Sequence, residues 1–178
     1  MRLWKKLTNI LCCIALAACA QEPGAIVVRD AAVHDGVLNA HLQWQPDADV
    51  LDALDHGIAL TFVVTVRAQT HGLFGQFHTQ AAAHRHLQLR YFPLSRQYQL
   101  RDIDYARTRS YPARALALAA LEDLRLALPD WPTHHAQRYA LQITLDRDAL
   151  PGALRLPALM LSAWHISSGN YTWQTPAA

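Results

Sequence analysis

Two residue types are missing from most of this 178-residue chain: lysine does not occur after position 6, and cysteine does not occur after position 19. Beyond residue 18 the chain has thirteen arginines and fourteen acidic residues, so the net charge of that part is about −1. A basic nucleic-acid-binding module is therefore not expected, and we predict no nucleic acid partner. Because no cysteine pair remains, a domain of about 160 residues has to be stabilised by its core without disulfides.

Several patterns that carry chemistry are also missing. The chain has no G-x-S-x-G elbow, no glycine-rich phosphate loop and no internal repeat. No apolar run after residue 18 approaches the about 20 residues that a membrane-spanning helix needs. We therefore predict no serine nucleophile and no nucleotide cofactor. The apolar fraction of 52% indicates one folded domain rather than a disordered chain.

The start of the chain has the three parts of a secretory signal peptide. The basic residues Arg2, Lys5 and Lys6 come first, an apolar run follows, and small alanines end it. The run is too short to span a membrane. Residues 1–18 are therefore predicted to be a signal peptide of the lipoprotein type.

Two cleavage sites fit the residues that follow. Leu-Ala-Ala-Cys at 16–19 matches the bacterial lipobox, in which Cys19 receives the lipid and becomes the new N-terminus. Ala-Cys-Ala at 18–20 is alternatively an A-x-A site, with cleavage before Gln21. We favour the lipobox because it specifies four positions directly after the apolar run. Cys19 is then the lipid-attachment residue, and residues 19–24 are a tether.

The resulting expectation is a lipid-anchored protein that faces the periplasm. Several acyl chains on one cysteine anchor a protein firmly, since each buried methylene contributes about 0.8 kcal/mol. Ala20 rather than an aspartate follows Cys19, which favours the outer membrane by resemblance to the sorting rules of enteric-type bacteria. Residues 25–178 are predicted to form a single domain behind the tether.

The domain is predicted to be α+β, mostly antiparallel, with a sandwich-like sheet of about seven or eight strands. Apolar and polar residues alternate in most segments, and Asp35-Gly36 is a hairpin signal between the first two. A short helix is predicted over 47–56 and a long one over 113–128, while 69–83 is interpreted as a connection. The predicted strands cover residues 26–33, 37–44, 58–67, 86–91, 98–105 with a bulge near Arg101, 138–147, 163–166 and 171–173.

Four stretches in a fixed order carry a family resemblance. They read Gly-Ile-Ala-Leu-Thr-Phe-Val-Val-Thr-Val-Arg at 57–67, Leu-Arg-Tyr-Phe-Pro-Leu-Ser-Arg-Gln-Tyr at 89–98, Tyr-Ala-Leu-Gln-Ile-Thr-Leu-Asp at 139–146 and Leu-Pro-Gly-Ala-Leu-Arg at 150–155. The chain thereby resembles the "domain of unknown function 4390" family of exported proteobacterial proteins, from about residue 25 to 173. The resemblance implies export and one domain. It implies no reaction, because the family has no assigned activity.

Two pairs of side chains have the residue types of a reactive site. His84 and His86 share one face of a strand and are weak candidates for a metal site, but third and fourth ligands are not evident. Asp102 and Asp104 resemble the carboxylate pair of a glycoside hydrolase, which also needs one raised pKa and a sugar cleft. We therefore predict no metal, no cofactor, no catalytic residue and no enzyme, with a hydrolase as the less favoured alternative.

Two further features favour binding over catalysis. Arginines alternate with glutamines in the middle of the chain and suit an anion-binding face for lipid headgroups, phosphates or an acidic partner. The arginine set is Arg85, Arg90, Arg96, Arg101, Arg107 and Arg109. The second feature is a glycine-bounded loop with Leu73, Phe74 and Phe77, a candidate interaction loop whose large apolar groups suit insertion into a partner.

The favoured function is that of a non-enzymatic exported envelope protein that binds another envelope component, either a protein or a lipid. In that hypothesis the contacts come from a sheet edge and from the loop over 69–83. The alternative is a periplasmic domain that binds a small ligand or a lipid in an apolar cavity between sheet and helix.

Overall fold

Alternating apolar residues build two antiparallel sheets. The computed structural model describes residues 26–72, 76–128, 131 and 138–174. Its strands are β1 (Ile26–His34), β2 (Val37–Trp44), β3 (Leu60–His71), β4 (Phe77–Phe92), β5 (Gln97–Asp102), β6 (Arg107–Tyr111), β7 (Asp123–Ala127), β8 (Arg138–Leu145) and β9 (Tyr171–Gln174). Its helices are α1 (Ala48–Asp55), α2 (Arg114–Glu122) and α3 (Gly152–Met160), followed by a 3₁₀ turn at Ser162–Trp164.

The two sheets face each other across one core. The smaller has the strand order β1-β2-β7, and the larger has the order β6-β5-β4-β3-β8-β9. Leu60, Phe62 and Val64 on the inner face of β3 have no exposed surface. The Trp44 ring of the smaller sheet meets the Phe62 ring edge-on, with 5.2 Å between ring centroids. The prediction of an α+β domain with mostly antiparallel strands is therefore confirmed.

Local signals placed the first elements correctly. The β1–β2 turn holds Asp35 and Gly36 at φ values of 50° and 70°, as a type I′ hairpin turn requires. The side chain of Asp47 accepts the backbone N–H of Asp49 and so caps α1. Gly57 ends that helix region at a φ of 85°.

The long helix predicted over 113–128 is wrong. The helix α2 ends at Glu122, and the chain continues as the strand β7. The stretch Asp-Leu-Arg-Leu-Ala alternates between exposed and buried residues, and it pairs with β2 from Val37↔Ala127 to His41↔Asp123. This segment pairs with the free edge of β2, and the pairing overrides the helix propensity of its residues. The described part of the chain thus has three short helices rather than one long and one short.

The bulge predicted near Arg101 is also wrong. The strand β5 ends at Asp102, residues 103–106 form a turn, and β6 returns antiparallel to β5. Ile103 and Tyr105 are consequently exposed rather than buried. Ala106 adopts a positive φ of 52°, which permits the tight turn.

Other boundaries differ from the prediction. The predicted connection over 69–83 is largely strand, since β3 runs to His71 and β4 begins at Phe77. The predicted strand over 163–166 is replaced by the 3₁₀ turn and a single bridge between Ser167 and Thr144. Within the described residues, no helix is both long and apolar enough to cross a membrane.

Candidate functional site

A small cleft opens between the inner face of the larger sheet and the free edge of β7. Its volume is about 100 Å³. The larger sheet contributes Arg85, Leu87, Leu100, Asp102, Tyr105, Arg107 and Arg109, and the region of α2 and β7 contributes Ala120, Asp123, Leu124, Arg125, Leu126 and Ala127. The cleft therefore combines an apolar floor with four arginines and two aspartates.

Arg85 is the buried arginine of the cleft lining. It lies on the inner face of β4 opposite Val64 and is only 4% exposed. Its guanidinium donates to the carboxylate of Asp102 and to the carbonyl of Ala127, so it connects the two sheets. The Tyr105 ring covers the guanidinium, with 3.8 Å from Cζ to the ring centroid.

Hydrogen bonds with His86 hold the β5–β6 turn next to Arg85. The amide of Ile103 donates to the carbonyl of His86 at 2.9 Å. The amide of His86 donates in return to Asp104 at 2.6 Å, and the His86 ring lies 3.2 Å from the same carboxylate. These contacts explain why residues 103–106 turn sharply and place Asp104 3.8 Å from the Nε of Arg85.

Asp104 is held in its charged form by these neighbours. Burial alone raises the pKa of the Asp104 carboxyl. The hydrogen bonds from His86 and the positive charges of His86 and Arg85 outweigh burial, and they lower that pKa below its usual 3.8. Asp104 is therefore a carboxylate suited to pairing with cations and poorly suited to proton donation.

The other three arginines of the cleft lie at its rim. Arg107 and Arg109 occupy alternate positions of β6, opposite Asp102 and Leu100 of the inner face. Arg125 projects from β7, and all three side chains are exposed. None of the three has a carboxylate partner among the described residues. Their guanidinium groups are thus available to an anion.

The backbone of β7 adds polar groups to the same cleft. The amide of Leu128 donates to Gly36, so the residues in phase with Leu128 direct their backbone groups toward β2. The carbonyl of Ala127 points the other way and accepts from Arg85. By the same alternation the N–H and C=O of Arg125 face the open edge of β7.

His84 and His86, the weak candidates for a metal site, each contact another side chain of the sheet or its turn. The ring of His84 lies 3.1 Å from the hydroxyl of Thr65, and His86 contacts Asp104 as described above. The described residues contain no group of three or more His, Cys, Asp or Glu side chains placed to hold a metal ion.

The candidate interaction loop and the lipid-attachment residue fall mainly outside the described residues. Leu73, Phe74 and Cys19 are not among them. Phe77 is the first residue of β4 and is half-buried. Its ring lies 4.2 Å from that of His71 and 4.6 Å from the guanidinium carbon of Arg138. The interaction role of the loop stays a prediction.

Sequence reasoning found part of this cleft and missed the rest. Arg107 and Arg109 belong to the predicted anion-binding face, whereas the contribution of β7 does not, because the sequence pattern predicts a helix over 113–128. The alternation of Leu124, Arg125 and Leu126 was the available signal. Arg85 belongs to the same predicted anion-binding face but is buried, because its position on β4 faces the core.

Comparison with known proteins gives a family and no activity. The family model described as "Domain of unknown function (DUF4390)" matches residues 27–174. The chain belongs to this family. The match runs from β1 to β9, so the domain that characterises the family includes both sheets and the cleft between them. No curated protein and no solved structure matches the chain significantly.

Proposed function

We propose that this protein is a non-enzymatic envelope lipoprotein that binds an anionic group of another envelope component in the arginine-rich cleft. The lipobox at residues 16–19 supports export and attachment through Cys19. It makes the periplasm the expected compartment, with the outer membrane favoured by Ala20. The cleft supports binding as the mode of action.

The observation that carries the proposal is that three charged arginines of the cleft lack a carboxylate partner among the described residues. Arg107, Arg109 and Arg125 have no carboxylate partner among the described residues, although the protein beyond residue 18 is slightly acidic. Guanidinium groups bind carboxylates and phosphates with two parallel hydrogen bonds. The shared chemistry of the ligand is therefore a carboxylate or phosphate that carries a small apolar neighbour for the leucines of the floor.

The size of the cleft favours a single group over a whole metabolite. Pockets for complete small ligands usually enclose about 300–1,000 Å³. A cleft of about 100 Å³ suits one acidic side chain or one headgroup of a larger partner. A wider groove of about 400 Å³ between α1 and α3 is lined by Ala53, Ile58 and Leu154 among others, and it supports the alternative of a lipid-binding domain.

The carboxylates support binding over hydrolysis. Asp102 is paired with Arg85, and Asp104 has a lowered pKa because of His86 and Arg85. A glycoside hydrolase needs one carboxyl with a raised pKa as its general acid. Both aspartates instead stabilise the β5–β6 turn and the buried arginine.

Photo-crosslinking in the envelope tests the proposal. A photoreactive residue replaces Ala120, which lines the cleft and carries no charge. The mass of each adduct tells whether the captured partner is a protein or a phosphate-bearing lipid. We expect one adduct class that is lost in the double variant Arg107→Gln with Arg109→Gln. The matched control is Arg67→Gln with Arg101→Gln, which removes the same charge from the opposite face of the larger sheet. Equal capture by both double variants would disprove the role of the cleft.

The anchoring part of the proposal has its own test. Intact mass of the membrane-extracted protein should show a chain that starts at Cys19 and carries acyl mass, while Cys19→Ala should lack that mass. A chain that starts at Gln21 without lipid would contradict anchoring and leave a soluble periplasmic protein.

A further inference from the structure

The helix α3 exposes an unusual amount of apolar surface. Leu156 is 69% exposed, Leu159 is 56% exposed and Met160 is 83% exposed. Their spacing of three and four residues places them on one face of the helix. We call these three residues the α3 face.

The residues of the α3 face differ from isolated surface leucines because they are neighbours on one side of a single helix. Only Ala158 of α3 is buried, and Arg155 is the only charged residue of the helix. The comparable helix α2 also has nine residues, yet it buries Ala117 and Leu121, and Leu116 is its only large apolar residue that is exposed, at 52%. Continuous apolar patches on soluble domains generally mark a contact with a partner or a membrane.

The start of β1 shows which end of the domain the lipid tether would enter. The amide of Ile26 donates to the carbonyl of Ser167 at 3.4 Å. The first described strand therefore begins at Ile26 beside Ser167, which follows Met160, the last residue of α3, by seven positions. The seven residues from Cys19 to Ala25 span at most about 25 Å when fully extended. An acyl group on Cys19 thus restrains this end of the domain to the immediate neighbourhood of the bilayer.

We propose that the α3 face lies on the membrane into which the Cys19 lipid is inserted. A nine-residue helix is about 14 Å long and suits an orientation parallel to the bilayer surface. The leucines and Met160 would enter the boundary between headgroups and acyl chains, and Arg155 would extend to headgroup phosphates. This inference rests on the proposed lipoprotein anchor, and it adds that the domain has a defined orientation on the membrane.

A fluorescent probe on the α3 face tests the orientation. Because a chain processed at Cys19 has no other cysteine, Met160→Cys provides a single thiol for an environment-sensitive label in the acylated protein. The matched control is Thr108→Cys, an exposed position on the edge strand β6. Both labelled proteins are incorporated into vesicles of phosphatidylethanolamine and phosphatidylglycerol at three to one, with and without brominated acyl chains.

We expect a blue shift and quenching by brominated lipid at position 160 and neither effect at position 108. Adding Leu156→Ser and Leu159→Ser should reduce the inserted fraction about tenfold or more, because two buried leucines are lost from the membrane contact. Circular dichroism of each variant checks that the fold is retained, which is expected since these side chains are exposed.

The outcomes separate the inference from the anchor on which it rests. Acyl mass on Cys19 together with a water-exposed probe at position 160 would overturn the inference and leave the lipoprotein proposal intact. Absence of acyl mass would overturn both. A blue shift that appears without vesicles and increases with protein concentration would show that a second copy covers the α3 face, and it would also overturn the membrane contact.

Discussion

Arg85 and the three rim arginines of the cleft belong to the same residue type and line the same space, but their surroundings differ. Arg85 is 4% exposed and contacts Asp102, Ala127 and Tyr105. Arg107, Arg109 and Arg125 are exposed and have no carboxylate partner among the described residues. A buried cation has to be paired to be tolerated, whereas an exposed one costs little without a partner. This difference supports a role in stability for Arg85, and it supports the proposal that the rim arginines bind the ligand.

Replacing Arg85 should give the largest effect on stability. Arg85→Met leaves Asp102 largely buried without its cation, and we expect a loss of about 3–5 kcal/mol in the free energy of unfolding. Urea denaturation followed by circular dichroism measures this loss. Arg101→Met on the opposite face is the control and should change stability by less than about 0.5 kcal/mol.

A second substitution refines this prediction. Asp102→Leu added to Arg85→Met removes the unpaired charge, and it should recover most of the lost stability because an apolar pair replaces an ion pair. A double variant as unstable as Arg85→Met alone would mean that the Arg85 contact with Ala127 between the sheets, rather than charge pairing, is what matters.

Arg114 has surroundings that are intermediate between those of Arg85 and those of the rim arginines. Arg114 pairs with Asp55, and Asp55 also accepts the hydroxyl of Tyr98 at 2.7 Å. Burial and the bond to Asp55 raise the pKa of Tyr98 to about 12. The neutral phenol is therefore favoured in the folded state, and its contribution to stability is complete below about pH 10 and lost between about pH 10 and 12.

Spectroscopic titration of the tyrosines checks this value. One tyrosine should ionise near pH 12 in the folded protein, and that transition should be missing in Tyr98→Phe. The stability of Tyr98→Phe should also fall less between pH 10 and 12 than that of the wild type. Tyr171→Phe, on the edge strand β9, is the control and should leave the transition near pH 12 in place.

Acid should weaken the contacts of Asp104 with His86 and Arg85. Because His86 and Arg85 lower the pKa of Asp104, its contribution to stability is complete above about pH 4 and lost as pH falls through the lower folded-state value. Asp104→Asn should therefore flatten the dependence of unfolding free energy on pH below about 4. Asp148→Asn, at an exposed position outside the cleft, should leave that dependence unchanged.

The smallest stability effect is expected at the rim. Arg107→Gln with Arg109→Gln should change the free energy of unfolding by less than about 0.5 kcal/mol, because both side chains are exposed and neither has a carboxylate partner among the described residues. The same variant should lose the photo-crosslinked partner. A large loss of stability would mean that these arginines are structural as Arg85 is, and the comparison would no longer hold.

Much of the fold could be predicted where local and tertiary preferences agree. The alternation of Tyr139, Leu141 and Ile143 predicted a half-buried strand, and these side chains of β8 are buried in the core of the domain. The Asp35-Gly36 turn and the Asp47 cap were equally clear, since each depends only on neighbouring residues.

Prediction failed where a distant partner determined the structure. Leu124 and Leu126 suit a helix by propensity, and only the unpaired edge of β2 makes them a strand. Asp102 was expected within a longer strand, but contacts between the next two residues and His86 end β5 there. The candidate cleft depends on both features, so of its three rim arginines only Arg107 and Arg109 belong to the anion-binding face that the sequence predicts.

By itself the sequence determined the family, the antiparallel α+β class and the hairpins, because these depend on periodicity and on short-range turn chemistry. Tertiary structure decided which arginine is buried, which aspartates are held as carboxylates and which helix keeps an uncovered apolar face. Those properties depend on groups that are far apart in the chain and meet only in the folded domain. Arg85 illustrates this, since its guanidinium bonds to Ala127 across 42 positions of sequence.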